Sequence, residues 1–205
     1  IRLGAAQVVA GRLDAGERTL NAVLARTPND PVAIHYLGRA AFQRGDYAAA
    51  EQRLAQAVTL DPQRAEYNVY LAWCRLDQNN IAAAREAVNS ALAADPNSGD
   101  AHWVFARILS RTGQAADALV EGQRALELNP RRVEAWAVIG EAQEQLGNRS
   151  DAIAAFVRVT TAKPDVGEYW YKLGRVRIDA GQAGEGVSAL IRAADLGDAM
   201  SKRPP

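Results

Sequence analysis

Histidine and cysteine, the side chains most often used as metal ligands and reactive groups, are rare in this 205-residue sequence. It contains two histidines, His35 and His102, and one cysteine, Cys74. The histidines are far apart, and no H-E-x-x-H motif or close His/Cys cluster is present, so we expect no metal site from them. A single cysteine cannot form an internal disulfide. The sequence therefore predicts a non-catalytic protein without a cofactor.

Three glycines, Gly181, Gly184 and Gly186, are spaced like a phosphate-binding loop. Such a loop follows a strand and continues with Lys-Ser or Lys-Thr, and the sequence offers neither feature. Basic and acidic residues number 24 each, so no overall charge attracts nucleic acid. No apolar run approaches the roughly 18 residues that span a bilayer. We therefore expect no nucleic-acid partner and no membrane insertion by this segment.

The prolines reveal an internal repeat. Five of them recur at intervals of 34 residues: Pro28, Pro62, Pro96, Pro130 and Pro164. Because proline cannot continue a helix, each should lie just beyond a helix end. With these prolines at position 32 of each repeat, position 15 is glycine or asparagine throughout: Gly11, Gly45, Asn79, Gly113, Gly147 and Gly181. These are the residues that suit a left-handed conformation where a first helix ends.

Positions 8, 20 and 27 of the repeat hold small residues. Position 8, for example, consists of glycine and alanine: Gly4, Gly38, Ala72, Ala106, Gly140 and Gly174. Small residues let two helices approach to about 8–10 Å. Each repeat is therefore predicted to contain one helix over positions 1–14 and a second over positions 17–31.

These columns resemble the tetratricopeptide repeat, whose pattern is W-x2-L-G-x2-Y, A-x3-F and P with a period of 34. The fifth repeat matches best, through Trp136, Gly140, Ala152, Phe156 and Pro164. The resemblance implies an all-α fold, a single α-α superhelix (solenoid) of antiparallel helix pairs. Its repeats would cover approximately 1–30, 31–64, 65–98, 99–132, 133–166 and 167–200, with 201–205 as a tail.

In this family, positions 2, 5, 9, 12 and 13 of the first helix line a concave groove. The resemblance therefore implies a set of candidate peptide-binding residues: His35, Arg39, Phe42, Trp73, Trp103, Arg107, Arg111, Tyr171 and Arg175. Tryptophan, tyrosine and arginine often dominate binding energy. We expect Trp73 and Trp103, with the arginines of the fourth repeat, to bind a peptide or helix carrying apolar and acidic side chains.

The alternative for this face is a solvated surface, with tryptophans packed between repeats and arginines paired with acids. The two interpretations differ in what truncation does. If Trp103 lines the groove, Trp103→Ala should leave the melting temperature nearly unchanged and weaken ligand binding. Trp136 and Trp170 lie at the family's packing position, so Trp136→Ala should cost about 3–5 kcal/mol.

Two further columns are predicted to be structural. Position 2 is acidic in four repeats, as Glu66, Asp100, Glu134 and Glu168. A carboxylate in the first turn meets the positive end of the helix dipole, which we prefer to a carboxylate ladder for a metal or a cationic peptide. Cys74 belongs to an apolar column, so it should be buried and unreactive.

The leading functional hypothesis is a protein-interaction scaffold or adaptor that binds its partner in the groove. One alternative is an assembly factor, such as an accessory lipoprotein, of a bacterial envelope machine (a pilus, secretion or gliding apparatus). Another is the regulatory region of a larger enzyme, and a homo-oligomer through stacked repeat ends is a further hypothesis. The start at Ile1 and the lack of a recognisable capping helix are interpreted as signs of a fragment. The Ala- and Arg-rich composition favours a bacterial protein, for which we expect a cytoplasmic or periplasmic location, with the cytoplasm slightly favoured.

Overall fold

The fold is all-α. A computed structural model describes the backbone of residues 1–201 and the side chains of residues 1–197. The described part contains twelve α-helices and no β-strand: α1 Arg2–Val9, α2 Leu13–Leu24, α3 Pro31–Gln43, α4 Tyr47–Leu60, α5 Ala65–Asp77, α6 Ile81–Ala94, α7 Gly99–Arg111, α8 Ala115–Leu128, α9 Ala135–Gln145, α10 Arg149–Ala162, α11 Gly167–Asp179 and α12 Ala183–Ser201. The predicted pair of helices in each repeat is confirmed. We call the odd-numbered helices first helices and the even-numbered ones second helices.

The turn inside each helix pair depends on one residue with a positive φ. This residue always occupies position 15: Gly11 (74°), Gly45 (80°), Asn79 (61°), Gly113 (74°), Gly147 (81°) and Gly181 (81°). Glycine adopts this conformation without a steric penalty, and asparagine is among the few other residues that tolerate it. The prediction for this column is confirmed.

Close approach of the two helices explains the small residues at position 8. A Cβ atom on Gly140 would lie 2.8 Å from the Phe156 ring, and one on Gly38 would lie 2.9 Å from the side chain of Leu54. Phe156 and Leu54 are themselves fully buried. A larger residue at position 8 of these two repeats would therefore displace a fully buried side chain of the same repeat.

Local sequence signals set most helix boundaries. Asp30 accepts a hydrogen bond from the backbone of Ala33 (2.8 Å) and caps α3, whose first residue is Pro31. Second helices such as α4 end two residues before the repeat proline. Helix α12 instead continues to Ser201, because Asp198 occupies the position of that proline.

The variable residue at position 4 has a shared role. In three repeats its side-chain nitrogen reaches the carbonyl oxygen of the proline six residues earlier: Asn68 to Pro62 (3.4 Å), His102 to Pro96 (3.0 Å) and Trp170 to Pro164 (3.0 Å). For His102 this bond requires a proton on Nε2. A common N–H donor explains why Asn, His and Trp replace one another at this position.

The two tryptophans predicted to be core residues contact the core without being enclosed by it. Trp136 and Trp170 are partly buried and pack against a cluster that contains Phe156, Val159 and Leu173. The structure confirms that Trp136 and Trp170 pack against the core, although both rings remain partly exposed.

By its internal contacts the chain divides into two compact units, which we call the N-terminal unit (Ile1–Val104) and the C-terminal unit (Phe105–Pro205). The N-terminal unit has a core cluster that includes Val8, Leu20 and Leu37. The organisation of the six repeats as a single solenoid stays a prediction. No helix in the described part of the chain combines the length and hydropathy needed to cross a bilayer.

Candidate functional site

First helices of the N-terminal unit bring four aromatic rings together: Phe42, Tyr70, Trp73 and Trp103, which we call the aromatic cluster. Trp73 is its centre, with ring centroids 5.0 Å from Phe42, 5.9 Å from Tyr70 and 4.9 Å from Trp103. The two indoles meet at 89°. Edge-to-face contact of this kind is favourable because the positive edge of one ring faces the negative face of the other.

Repeat register explains why these rings meet. Phe42, Trp73 and Trp103 belong to α3, α5 and α7. Along this series, each ring is attached about one helical turn nearer the start of its helix than the ring before it. Neighbouring first helices therefore place the three rings side by side. Phe42, Tyr70 and Trp73 are half-buried. The cluster is thus a supported apolar surface with three partly accessible rings.

Trp103 corrects one sequence-based expectation. Its side chain is only 5% exposed and packs against the ring of Trp73. A ring that lost most of its contact with water on folding contributes to stability. Trp103→Ala is therefore expected to lower the melting temperature, contrary to the expectation derived from its groove register.

Arg39 is held by the protein itself. Its guanidinium carbon lies 4.2 Å from the ring centroid of Tyr70 and 4.8 Å from that of Tyr36. Its Nη1 lies 3.3 Å from Oε1 of Glu66, and the side chain is 12% exposed. Sequence reasoning missed the two tyrosines, although both occupy position 6, one repeat apart. Arg39 therefore joins two first helices as well as lying beside the aromatic cluster.

His35 does not reach the surface. Its side chain is 0% exposed, and its ring centroid lies 4.6 Å from Tyr67, 5.1 Å from Tyr36 and 5.2 Å from Tyr70. Burial lowers the pKa of the imidazole, although Glu66 acts in the opposite direction. The register predicted a ligand contact, but the tyrosines of the next first helix cover the ring. His35 can act on a ligand only through its neighbours.

In the C-terminal unit, polar side chains occupy the first-helix positions. We call them the polar ladder: Ser110, Glu141, Glu144, Gln145, Lys172 and Arg175. The Ser110 hydroxyl donates to Glu141 Oε2 (3.2 Å), and the Gln145 amide donates to the Ser110 carbonyl (3.3 Å). Arg175 Nη2 lies 2.8 Å from Glu144. Each of these contacts joins the first helices of neighbouring repeats.

Lys172 lies between two carboxylates. Its ammonium contacts Glu141 and lies 2.6 Å from Glu168 Oε1. Burial acts to lower the pKa of Lys172, but Glu141 and Glu168 outweigh it and raise that pKa. The charge of Lys172 is thus satisfied within the protein.

The other candidate residues are distributed over the C-terminal unit. Arg175 is half exposed and paired with Glu144. Tyr171 is 55% exposed and borders an open depression of about 940 Å³ between α11 and α12. Arg107 is half-buried within α7, and Arg111 is exposed at its end.

The acidic residues at position 2 and Cys74, which the sequence predicts to be structural, lie at helix starts and in the core, respectively. Glu66, Asp100 and Glu168 lie in the first turns of α5, α7 and α11, and Glu134 directly precedes α9. Cys74 is 0% exposed, and burial raises the pKa of its thiol to about 11. In the part of the chain whose side chains are described, no group of three or more His, Cys, Asp or Glu residues is arranged to hold a metal ion.

Sequence comparison identifies the family. One model of the tetratricopeptide repeat matches residues 41–108 and 109–176, and a second matches residues 1–65. The first of these alone covers more than half of the sequence, so the chain belongs to the tetratricopeptide repeat family. A comparison with curated protein sequences gave no significant match.

Solved structures with the same fold share little sequence with this chain. A chain of the APC/C hetero-tetramer Cut9-Hcn1 superposes with a TM-score of 0.89 at 15% identity, over 95% of this chain and 39% of that one. The crystal structure of MamA gives 0.62 at 20% identity, over 82% and 98%. YrrB, described as a TPR protein with an unusual peptide-binding site, gives 0.59 at 20% identity, over 86% and 91%. At such identities the likeness establishes the fold alone.

Proposed function

We propose that this chain is a non-catalytic protein-interaction scaffold whose aromatic cluster anchors a peptide or a partner's helix. The observation that carries the proposal is the set of half-buried rings around Trp73, backed by the buried ring of Trp103. Large, rigid aromatic rings lose little conformational freedom on binding, and they dominate many interfaces. A surface of this kind, supported from behind, suits recognition of apolar side chains.

Charge pairing narrows the chemistry of the ligand. Arg39 is paired with Glu66 and Arg175 with Glu144, so neither presents an uncompensated positive charge. Apolar side chains should therefore provide most of the affinity at the aromatic cluster. By their register on first helices, Arg107, Arg111 and Tyr171 of the C-terminal unit are proposed as a separate contact with acidic or polar groups of a ligand.

The fold is consistent with this role. YrrB is described as having an unusual peptide-binding site, so this fold can present one. The hypotheses of an envelope-machine assembly factor and of an enzyme's regulatory region would use the same surface within a larger assembly. No feature of the described residues favours either of them over a general adaptor.

The proposal can be tested with peptides selected from a random library on the wild-type chain. Dissociation constants are then measured by fluorescence anisotropy for wild type, Trp73→Ala and Val120→Ala. Val120 is a suitable control because it is an apolar residue, 61% exposed, on the second helix α8. We expect Trp73→Ala to weaken binding at least about tenfold, as at a typical hot spot, and Val120→Ala to leave it unchanged.

Circular dichroism must show that both variants keep the wild-type helix content at the assay temperature. Equal affinities of wild type and Trp73→Ala would contradict the proposal, since the ligand would then use another surface. Loss of binding in Val120→Ala alone would place the site on the second helices.

A further inference from the structure

The contact between α3 and α5 encloses a titratable group that the proposed binding does not use. His35 is fully buried, and Nε2 lies 3.4 Å from Glu66 Oε1, within ion-pair distance but without hydrogen-bond geometry. Within the described part of the chain, neither ring nitrogen has a hydrogen-bond partner, and nor does the buried hydroxyl of Tyr67. Buried polar groups are normally paired. The imidazole of His35 and the hydroxyl of Tyr67 are exceptions to this rule.

The groups that face His35 come from every helix packed around it. From α5 these are Glu66, Tyr67 and Tyr70, and Arg64 directly precedes that helix. From α3 itself they are Tyr36 and Arg39. Helices α1, α2 and α4 also pack against α3. Their apolar contacts include Val8, Leu24, Leu54 and Ala57, and the Cβ of Arg53 lies beside Gly38. Glu66 is thus the one carboxylate in this set.

Glu66 is shared by two basic side chains through a single oxygen. Its Oε1 lies 3.3 Å from Arg39 Nη1 and 3.4 Å from His35 Nε2. The adjoining imidazole, followed by Arg39 and Arg64, lowers the pKa of this carboxyl against the effect of burial. A proton on His35 would add a second positive charge beside Arg39, on a ring that is itself closed to water although Glu66 is partly exposed. Burying such a charge with incomplete pairing is costly.

We propose that the His35–Glu66–Arg39 cluster is a proton-sensitive contact, and that protonation of His35 loosens the packing of α3 on α5 and disturbs the aromatic cluster. The connection is direct, because Tyr70 contacts His35, Arg39 and Trp73. Any displacement of Tyr70 changes its ring contact with Trp73. Mild acid therefore acts on the surface that we assign to ligand binding.

The sign of the pH dependence follows from burial. The pKa of His35 in the folded protein lies below its ordinary value of 6.5. As the pH falls below that ordinary value, the unfolded chain binds a proton more readily than the folded chain, so the free energy of unfolding decreases. This stabilisation is complete above about pH 7 and is lost progressively as the pH approaches the folded pKa. Glu66, whose pKa is also lowered, contributes its own loss only at lower pH.

The chain is well suited to a direct test by nuclear magnetic resonance, since it has only two histidines and four tryptophans. We would record imidazole and indole signals from pH 8 to pH 5 without any ligand. The His35 signal should titrate with a midpoint below 6.5, and the Trp73 and Trp103 indole signals should shift with that midpoint. Trp136 and Trp170, in the C-terminal unit, are internal controls. A His35 midpoint at or above 6.5 would overturn the proposal. So would a Trp73 indole signal that does not shift over the pH range in which His35 titrates.

Two variants separate the proton from general acid effects. In His35→Phe the ring is kept without its nitrogens, so the shift of the Trp73 signal over this pH range should disappear. His102→Asn is the matched control, because Asn68 occupies the same repeat position and contacts the equivalent proline. It should keep the wild-type pH dependence. If His35→Phe does not fold, Glu66→Gln serves instead, and loss of its charge should move the His35 midpoint further down; an unchanged midpoint would contradict the coupling.

The effect on a ligand rests on the proposed function. A peptide selected at pH 7.5 should bind more weakly at pH 5.5, by no more than about tenfold per pH unit for one proton. His35→Phe should abolish that dependence. If no peptide is found, the scaffold hypothesis loses support. The ligand-free titration still tests whether the His35–Glu66–Arg39 cluster is a proton-sensitive contact.

Discussion

The two units of this chain build the same helix pair and cover its first helices differently. In the N-terminal unit, tilted and edge-to-face ring contacts link one first helix to the next around Trp73. In the C-terminal unit, Glu141 and Glu144 pair with Lys172 and Arg175 at comparable places. The contact between neighbouring first helices can therefore be made by aromatic packing or by ion pairs, because the small residues at the helix crossings, and not these side chains, determine the fold.

This difference bears on function. Partly exposed rings retain apolar area that a ligand can cover, and covering it is favourable at roughly 25 cal/mol per Å². Charges that already have partners gain little from a ligand, since each new contact must replace an existing one. The N-terminal unit is thus the better candidate for affinity, and the C-terminal unit for specificity or spacing.

The largest effect that would sharpen this comparison is expected from Trp103→Ala. Because the ring is 5% exposed and supports Trp73, its loss should lower the free energy of unfolding by about 3 kcal/mol or more. Trp73→Ala, which removes a half-buried ring, should cost about half as much. Urea denaturation followed by circular dichroism measures both values. Equal, small losses would show that the cluster is a surface patch without a buried base.

A smaller loss of stability is expected from position 8, where both units use a small residue at the contact between the two helices of a repeat. Gly140→Ala would place a Cβ 2.8 Å from the Phe156 ring, and overpacking of this kind typically costs about 1–3 kcal/mol. Gly184→Ala is the control, because no heavy atom lies within 4 Å of the added Cβ. Thermal melts should separate the two variants clearly. If they melt together, close helix approach is not what fixes position 8.

The smallest effect should come from the polar ladder. Arg175 is half exposed and pairs with Glu144, so Arg175→Ala should cost less than about 1 kcal/mol. The difference from wild type should shrink further in about 1 M salt, where charges are screened within roughly 3 Å. A larger cost that persists in salt would mean that the ladder holds the C-terminal unit together as firmly as packing does.

Many residues of the candidate site could be placed on first helices from the repeat register. The two wrong predictions, exposure of Trp103 and of His35, have the same cause. The period of 34 correctly assigned first-helix residues such as Phe42 and Trp73, because helix geometry fixes which positions share a face. It could not show that Trp103 and His35 are covered, since exposure depends on the size of neighbours in the next repeat. Tyr67 and Tyr70 decide this for His35.

By itself, the sequence determined the family, the helix pairs and their turns. Proline, glycine and small-residue columns act through local backbone conformation and helix contact, which follow from residue type and spacing. Only the tertiary structure decided the pairing of Arg39 with Glu66, the burial of His35 and the separate characters of the two units. These features depend on distances between side chains of different helices, and no one-dimensional pattern contains those distances.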